Sequence, residues 1–131
     1  VTQTVVLSNC PITFANGAKI EDAVIATTNT DVKSIDGPNG IQLGKNDNCA
    51  TGGGTQILTM GGMSFASGLQ VFGAQLLAAK DITFSASALG VKGAAFVSGG
   101  TISTTSGVTM SYCSGAGMEQ NFRMLYAKLV M

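Results

Sequence analysis

The chain has no histidine and no tryptophan. The first absence removes Ser-His-Asp and Cys-His catalysis and the common histidine-ligated metal sites. The second leaves Tyr112 and Tyr126 as the only aromatic hydroxyl platforms for stacking on sugars. Proline occurs only twice and aromatics make up 6%, so the 18 glycines of this 131-residue chain describe neither a collagen nor a proline-rich tail. Charge is scarce at 11%, and seven basic residues balance seven acidic ones. That balance removes the usual electrostatic footprint of a nucleic-acid or anionic-membrane binder. No run of about 18 apolar residues exists to span a bilayer. The sequence opens at Val1 with no charged and apolar leader pattern, and is expected to be a processed or excised piece of a longer precursor.

Other chemistry is also thin. The three cysteines form no CxxC, so a tetrahedral zinc site lacks a fourth ligand of the usual type. Glu21 and Asp22 are adjacent and point to opposite faces of a strand, while Asp31, Asp36, Asp47 and Asp81 are scattered over turns. Gly52-Gly53-Gly54 lacks the Lys-Ser/Thr of a phosphate loop, and no GxGxxG opens a helix. Neither a cofactor nor a metal is expected, and no catalytic residue is assigned.

What is present is repetition. QILTMGGMSF (56 to 65), QLLAAKDITF (75 to 84) and AAFVSGGTIST (94 to 104) superimpose at spacings of 19 and 20 residues. Each has an apolar pair (Ile57-Leu58, Leu76-Leu77, Phe96-Val97), small residues, a turn, and a second alternating strand. VVLSNCPITF (5 to 14) is an earlier copy, with Val6-Leu7 as its pair and Cys10-Pro11 as its turn, and Ile25 follows Val6 by 19 residues. Units this short cannot bury a face alone, so they predict a parallel β-helix, an all-β solenoid forming one domain over residues 1–131. Isolated threonines (Thr101, Thr104, Thr105, Thr109) make no multi-coil row of the ice-binding kind, because their counterparts include Met63, Phe65, Lys80 and Phe84.

The period breaks once. Ile25 and Ile57 are 32 residues apart, and the excess of about 12 is placed in an insertion at 34–54, which carries the loop signals Asp36 to Gly40 and Gly52 to Gly54. Insertions in solenoids emerge on one face, often the binding face. Ile41, Leu43 and Asp47 are therefore expected partner contacts. The Asn46-Asp47-Asn48 group has too few carboxylates for calcium and reads as a polar turn. In an oxidising compartment the expected disulfide joins Cys10 to Cys49, since Cys113 lies about four coils of roughly 4.8 Å from Cys10. The loop so closed is worth roughly 4 kcal/mol in the chain-entropy model. Three reduced thiols are the alternative.

After Ser114 to Gly117 the period changes to about 3.6. Met118, Phe122, Leu125 and Leu129 share one stripe, predicting an amphipathic helix over 117–130 with Glu119 near its start and Lys128 near its end. It is expected to cap the open end of the solenoid. Phe122 and Leu125 are further expected contacts, in the alternative that the helix binds a partner.

The run Asp47-Asn48-Cys49, Gly52 to Gly54, Gln56 to Thr59, Gly61-Gly62, Phe65, Gln75, Ala79, Asp81-Ile82, Phe84, Gly93-Ala94, Gly99-Gly100, Thr105-Ser106 and Cys113 resembles the C-terminal region of bacterial TadG-like pilus-assembly proteins of the Tad (Flp) system. Lys80 departs from that pattern where a small turn residue is expected. The resemblance covers residues 47 to 113. It implies a periplasmic or cell-surface location, oxidised cysteines, and a role in assembling or decorating adhesive pili, with no catalytic residue carried over. The expected function is thus a non-enzymatic structural or assembly module whose partners are other pilus or cell-surface proteins. No nucleic acid and no membrane contact by this segment is expected, and the coil faces allow a homo-oligomer. Its rival is a carbohydrate-binding or adhesive β-helix of a surface protein or phage fibre; a carboxylate hydrolase is disfavoured by the scatter of acids.

Overall fold

The computed structural model describes residues 1–47, 54–105 and 108–111, and only the backbone of 86–90. The described chain is a parallel β-helix of about five coils. The first coil carries β1 (Val5–Ser8), β2 (Ile12–Thr13) and β3 (Lys19–Ile20). The second carries β4 (Val24–Thr27), β5 (Ile35–Gly37) and β6 (Gln42–Leu43). The third has β7 (Gln56–Thr59) and β8 (Met63–Phe72), the fourth β9 (Gln75–Ala78) and β10 (Ile82–Lys92), and the last β11 (Ala95–Ser98), β12 (Ile102–Thr104) and β13 (Met110–Ser111).

Stacking these coils gives three faces. The first is the five-stranded sheet β1-β4-β7-β9-β11, parallel throughout. The second aligns β2, β5, the start of β8, the start of β10, and β12. The third aligns β3, β6, the ends of β8 and β10, and β13. In the third and fourth coils one long strand runs through the corner between the second and third faces; elsewhere that corner separates two short strands.

Register follows the sequence repeat. Val6, Ile25, Ile57, Leu76 and Phe96 form one inward column on the first face. Ile12, Ile35, Met63, Ile82 and Ile102 form a second, and Ile20, Leu43, Val71, Val91 and Met110 a third. Burial is complete in the middle coils and fades toward the ends, where Ile102 and Met110 are exposed. Phe84 and Phe96 stack inside with centroids 4.9 Å apart, joining the first and second faces through the interior. Phe65 lies over Gly37, where any side chain would collide with its ring. Burying one such Leu or Ile contributes roughly 1.5–3 kcal/mol, so this narrow continuous core is the main source of stability.

The corner between the third and first faces repeats in every coil. Gln3, Asp22, Gly54, Gly73 and Gly93 all have positive φ, and the residue after each (Thr4, Ala23, Thr55, Ala74, Ala94) is small. The amide two positions beyond the turn then donates to the previous coil: Val24 to Thr4, Gln56 to Ala23, Gln75 to Thr55 and Ala95 to Ala74, all at 2.8–3.0 Å. Asp22 tolerates its left-handed backbone partly because its carboxylate accepts from the Gly54 amide at 3.1 Å.

The expected insertion at 34–54 is redistributed. Ile35–Gly37 and Gln42–Leu43 are regular rungs paired to coils on both sides. The second coil takes 32 residues from Val24 to Gln56 where the third takes 19 from Gln56 to Gln75. Four of the extra residues lie at the first corner, where 28–34 replaces a three-residue turn such as 60–62; nine lie between Leu43 and Gln56. Asp36 and Gly40 signal turns, yet parallel rungs accept them because Asp36 points outward and Gly40 takes φ +72 at the second corner. The expected helix over 117–130, with Phe122 and Leu125, lies outside the described residues, as do Cys49 and Cys113. Among the described residues there is no helix.

Candidate interaction surface

The first corner, where β1, β4, β7, β9 and β11 end, is organised by hydroxyls. Ser8, Thr27, Thr59 and Ser98 stand in one column, and each accepts a hydrogen bond from the amide two residues on, at 2.9–3.1 Å. Such side-chain turns fix a tight reversal without a helix or hairpin. Three of these hydroxyls also reach the preceding coil: Thr27 to the Cys10 carbonyl at 2.7 Å, Thr59 to that of Asn29 at 3.4 Å, and Ser98 to that of Lys80 at 2.7 Å. The fourth coil has Ala78 in the column, and there the Lys80 amide donates to the Gly61 carbonyl instead.

The long turn 28–34 lies over this corner. Gly61 and Gly62 make room for it, since a Cβ on either would collide with the backbone of Asp31 or Val32 or with Ser34. Ser34 is fully buried beneath the turn; its hydroxyl is 2.5 Å from that of Thr59 and donates to the Gly62 carbonyl at 3.0 Å. The Gly62 amide donates to the Asp31 carbonyl, and the Asp31 amide to Asn29 Oδ1. From the fourth coil, Lys80 Nζ crosses the side-chain-free Gly61-Gly62 turn to the Thr30 carbonyl at 2.5 Å. The turn is therefore strapped from both sides.

The strapped turn exposes Thr28, Thr30, Asp31 and Lys33 and, among them, one apolar side chain. Val32 at the turn is 74% exposed and Met60 at the same corner 57%. An open cleft of about 600 Å³ runs from Val32 past Lys33, Ser64 and Lys80 to Gly99 and Gly100. Asp81 closes its far side by accepting from the Thr101 amide at 2.7 Å. No group of three or more His, Cys, Asp or Glu residues able to hold a metal occurs among the described residues.

The structure separates the residues expected to make contacts. Ile41 and Leu43 are fully buried, because each belongs to the inner surface of the second coil and not to a projecting loop. That corrects their expected role: neither can touch a partner. Asp47 is exposed beyond Gly44, on the side of the solenoid where the third face ends. The expected Cys10 to Cys49 bridge finds no support: Cys10 is a free, exposed thiol at the first corner whose Sγ donates to Asn9 Oδ1 at 3.4 Å, and Cys49 lies outside the described residues.

Two features escaped the sequence reading. One is the 28–34 turn, masked because TTNTDVKS carries neither glycine nor proline. The other is the outside of the first face, where Leu7, Ala26, Leu58, Leu77 and Val97 form an outward apolar column. Its signal lay in the doublets Val6-Leu7, Ile57-Leu58, Leu76-Leu77 and Phe96-Val97, since a strand with one solvated face places a polar residue second in each pair.

No curated protein and no solved structure matches the chain. A family model, described as Domain of unknown function (DUF7867), matches residues 1–114, which takes in all five coils, and the chain therefore belongs to that family.

Proposed function

We propose that this solenoid is a non-enzymatic structural or assembly module that works through protein contacts made at its first corner, outside the cytosol. The observation that carries the reading is the 28–34 turn: the hydrogen bonds of Ser34, Thr59 and Lys80 hold it, and it displays Val32 to solvent at the same corner where the 60–62 turn of the next coil displays Met60. A held apolar contact loses little conformational entropy on binding, which is what a recognition surface needs. A partner within surface pili is suggested by the resemblance of residues 47–113 alone.

The test is affinity capture from the source cells with the native chain and with a Val32→Asp/Met60→Asp variant, alongside a glycan array and a polysaccharide hydrolysis assay. The reading expects cell-surface or pilus proteins captured by the native chain, at least about tenfold less capture by the variant, and blank carbohydrate assays. Capture unchanged by the variant, recovery of cytosolic partners only, or glycan binding would each overturn it.

A further inference from the structure

The cleft beside the 28–34 turn has a floor without bulk and positive charge at one end. It starts at the turn, in the second coil, crosses Ser64 and Thr83, and ends at Gly99-Gly100 in the last coil. Three coil spacings of about 4.8 Å make it roughly 14 Å long. Ser64 and Thr83 are neighbours in the outward column of the second face, so the floor is a sheet surface carrying only small side chains. The Thr83 hydroxyl pairs with that of Ser103 at 3.3 Å, whereas the Ser64 hydroxyl has no partner among the described residues. No aromatic side chain is among the lining residues, which leaves no ring on which a sugar could stack.

The charges are not spread evenly along this trough. Lys33 is exposed on the turn, and its ammonium group has no partner among the described residues. Lys80 belongs to a turn two coils further on, yet its Nζ reaches the Thr30 carbonyl and so brings a second ammonium group to the same turn. One bond to a carbonyl leaves that group two further donors. At the opposite end the Asp81 carboxylate accepts from the Thr101 amide. Asp31 on the turn and Asp36 beside Ser64 are the other acids nearby, and neither lines the cleft. The end that carries Val32 is therefore cationic.

We propose that this cleft receives an extended acidic segment of the partner, with a carboxylate against Lys33 and Lys80, an apolar neighbour on Val32, and the following residues along Ser64 and Thr83. The proposal rests on the first corner being a protein-contact surface, and it names the chemistry recognised there. Size and charge both select this occupant. Two folded surfaces need about 800 Å² from each partner to form a stable interface, whereas a trough of roughly 14 Å takes about four extended residues at about 3.3 Å each. Two ammonium groups at one end recognise acidic residues as basic clusters do elsewhere.

The test titrates the native chain with fluorescein-labelled hexapeptides that carry one to three glutamates or aspartates beside a leucine, with glycine elsewhere, and follows anisotropy and the amide shifts of the isotope-labelled chain. Shifts centred on Lys33, Ser64 and Gly99 are expected. The tightest acidic peptide should bind at least about tenfold better than its glutamine or asparagine counterpart, and raising salt from about 0.05 M to about 0.5 M should weaken it. Lys33→Gln, at an exposed and unpaired position, should weaken binding about three- to fivefold. Ser64→Phe fills the floor without changing charge and should abolish binding with an unchanged circular dichroism spectrum. Absence of binding by every acidic peptide, equal binding of the neutral counterparts, native affinity in either variant, or polygalacturonate bound at the same residues as tightly as the peptides would each overturn the proposal. If no acidic peptide binds while Val32→Asp/Met60→Asp still abolishes capture from cells, this proposal falls and the contact reading of the corner stands.

Discussion

Thr59 is the residue through which the first corner and the long turn hold each other, and replacing it with valine isolates that role. Valine keeps the branched shape and strand preference of threonine and puts a methyl, which neither donates nor accepts, in place of the hydroxyl, so Ser34 Oγ must also draw back from its 2.5 Å approach. In the native chain the Thr59 hydroxyl oxygen accepts from the Gly61 amide at 2.9 Å, lies 2.5 Å from Ser34 Oγ and 3.4 Å from the Asn29 carbonyl, and Thr59 is 6% exposed. Ser34 retains its bond to the Gly62 carbonyl, so its loss is partial. The buried Gly61 amide loses its partner outright. An unsatisfied buried donor costs about 1–3 kcal/mol, and the weakened Ser34 and Asn29 contacts add about 1 kcal/mol, for a total near 2–4 kcal/mol. For a domain of this size that corresponds to a fall in Tm of roughly 6–15 °C. Urea unfolding measures the change directly, and hydrogen exchange shows where it falls: the amides of Asp31 and Gly61 should lose protection before those of the third face. Thr59→Ser, which keeps the hydroxyl, should lose no more than about 1 kcal/mol. A Thr59→Val variant within about 0.5 kcal/mol of the native chain, or one in which the 28–34 turn exchanges no faster, would refute the account of the corner.

Other expectations are sharper in contrast than alone. Leu76→Ala, at the centre of a fully buried column, should cost about 2–5 kcal/mol, while Leu77→Ala, one residue away and facing outward, should cost clearly less in the same urea titration. Gly44 and Gly73 both have positive φ, but a Cβ at Gly73 meets open space whereas one at Gly44 collides with the Phe72 carbonyl. Gly73→Ala should therefore cost about 1–2 kcal/mol of backbone strain, and Gly44→Ala substantially more, read as the difference in their unfolding midpoints. Lys80→Met removes the strap to Thr30 from an exposed position, so global stability should change by less than about 1 kcal/mol while exchange within 28–34 accelerates.

The repeat was legible because its cause is local and recurs: an inward apolar residue every 19 or 20 positions, with Val6, Ile25, Ile57, Leu76 and Phe96 all found in one column. The break in period was also legible in length. Its location was legible in part: nine of the extra residues do fall between Leu43 and Gln56. Asp36, Gly37 and Gly40 also read as loop residues, yet in a parallel coil an outward aspartate, a glycine beneath the Phe65 ring and a left-handed corner glycine are all rung positions. The same misreading put Ile41 and Leu43 on the surface. The turn that does project, 28–34, is held by long-range bonds to Thr59, Gly62 and Lys80, partners 25 to 50 residues away that no local pattern reveals. For the apolar outer face, the doublets held the information; the expectation of one solvated side concealed it.

The stacked, parallel arrangement of the coils can be measured through its hydrogen bonds. Scalar couplings across N–H···O=C bonds, recorded on the isotope-labelled chain, should connect the amide of Gln56 to the carbonyl of Ala23, that of Gln75 to Thr55 and that of Ala95 to Ala74. Finding these three, one per coil and each spanning a full turn of chain, is the expected result. Couplings from the same amides to carbonyls a few residues away, as in antiparallel hairpins, would contradict the solenoid and every assignment built on it.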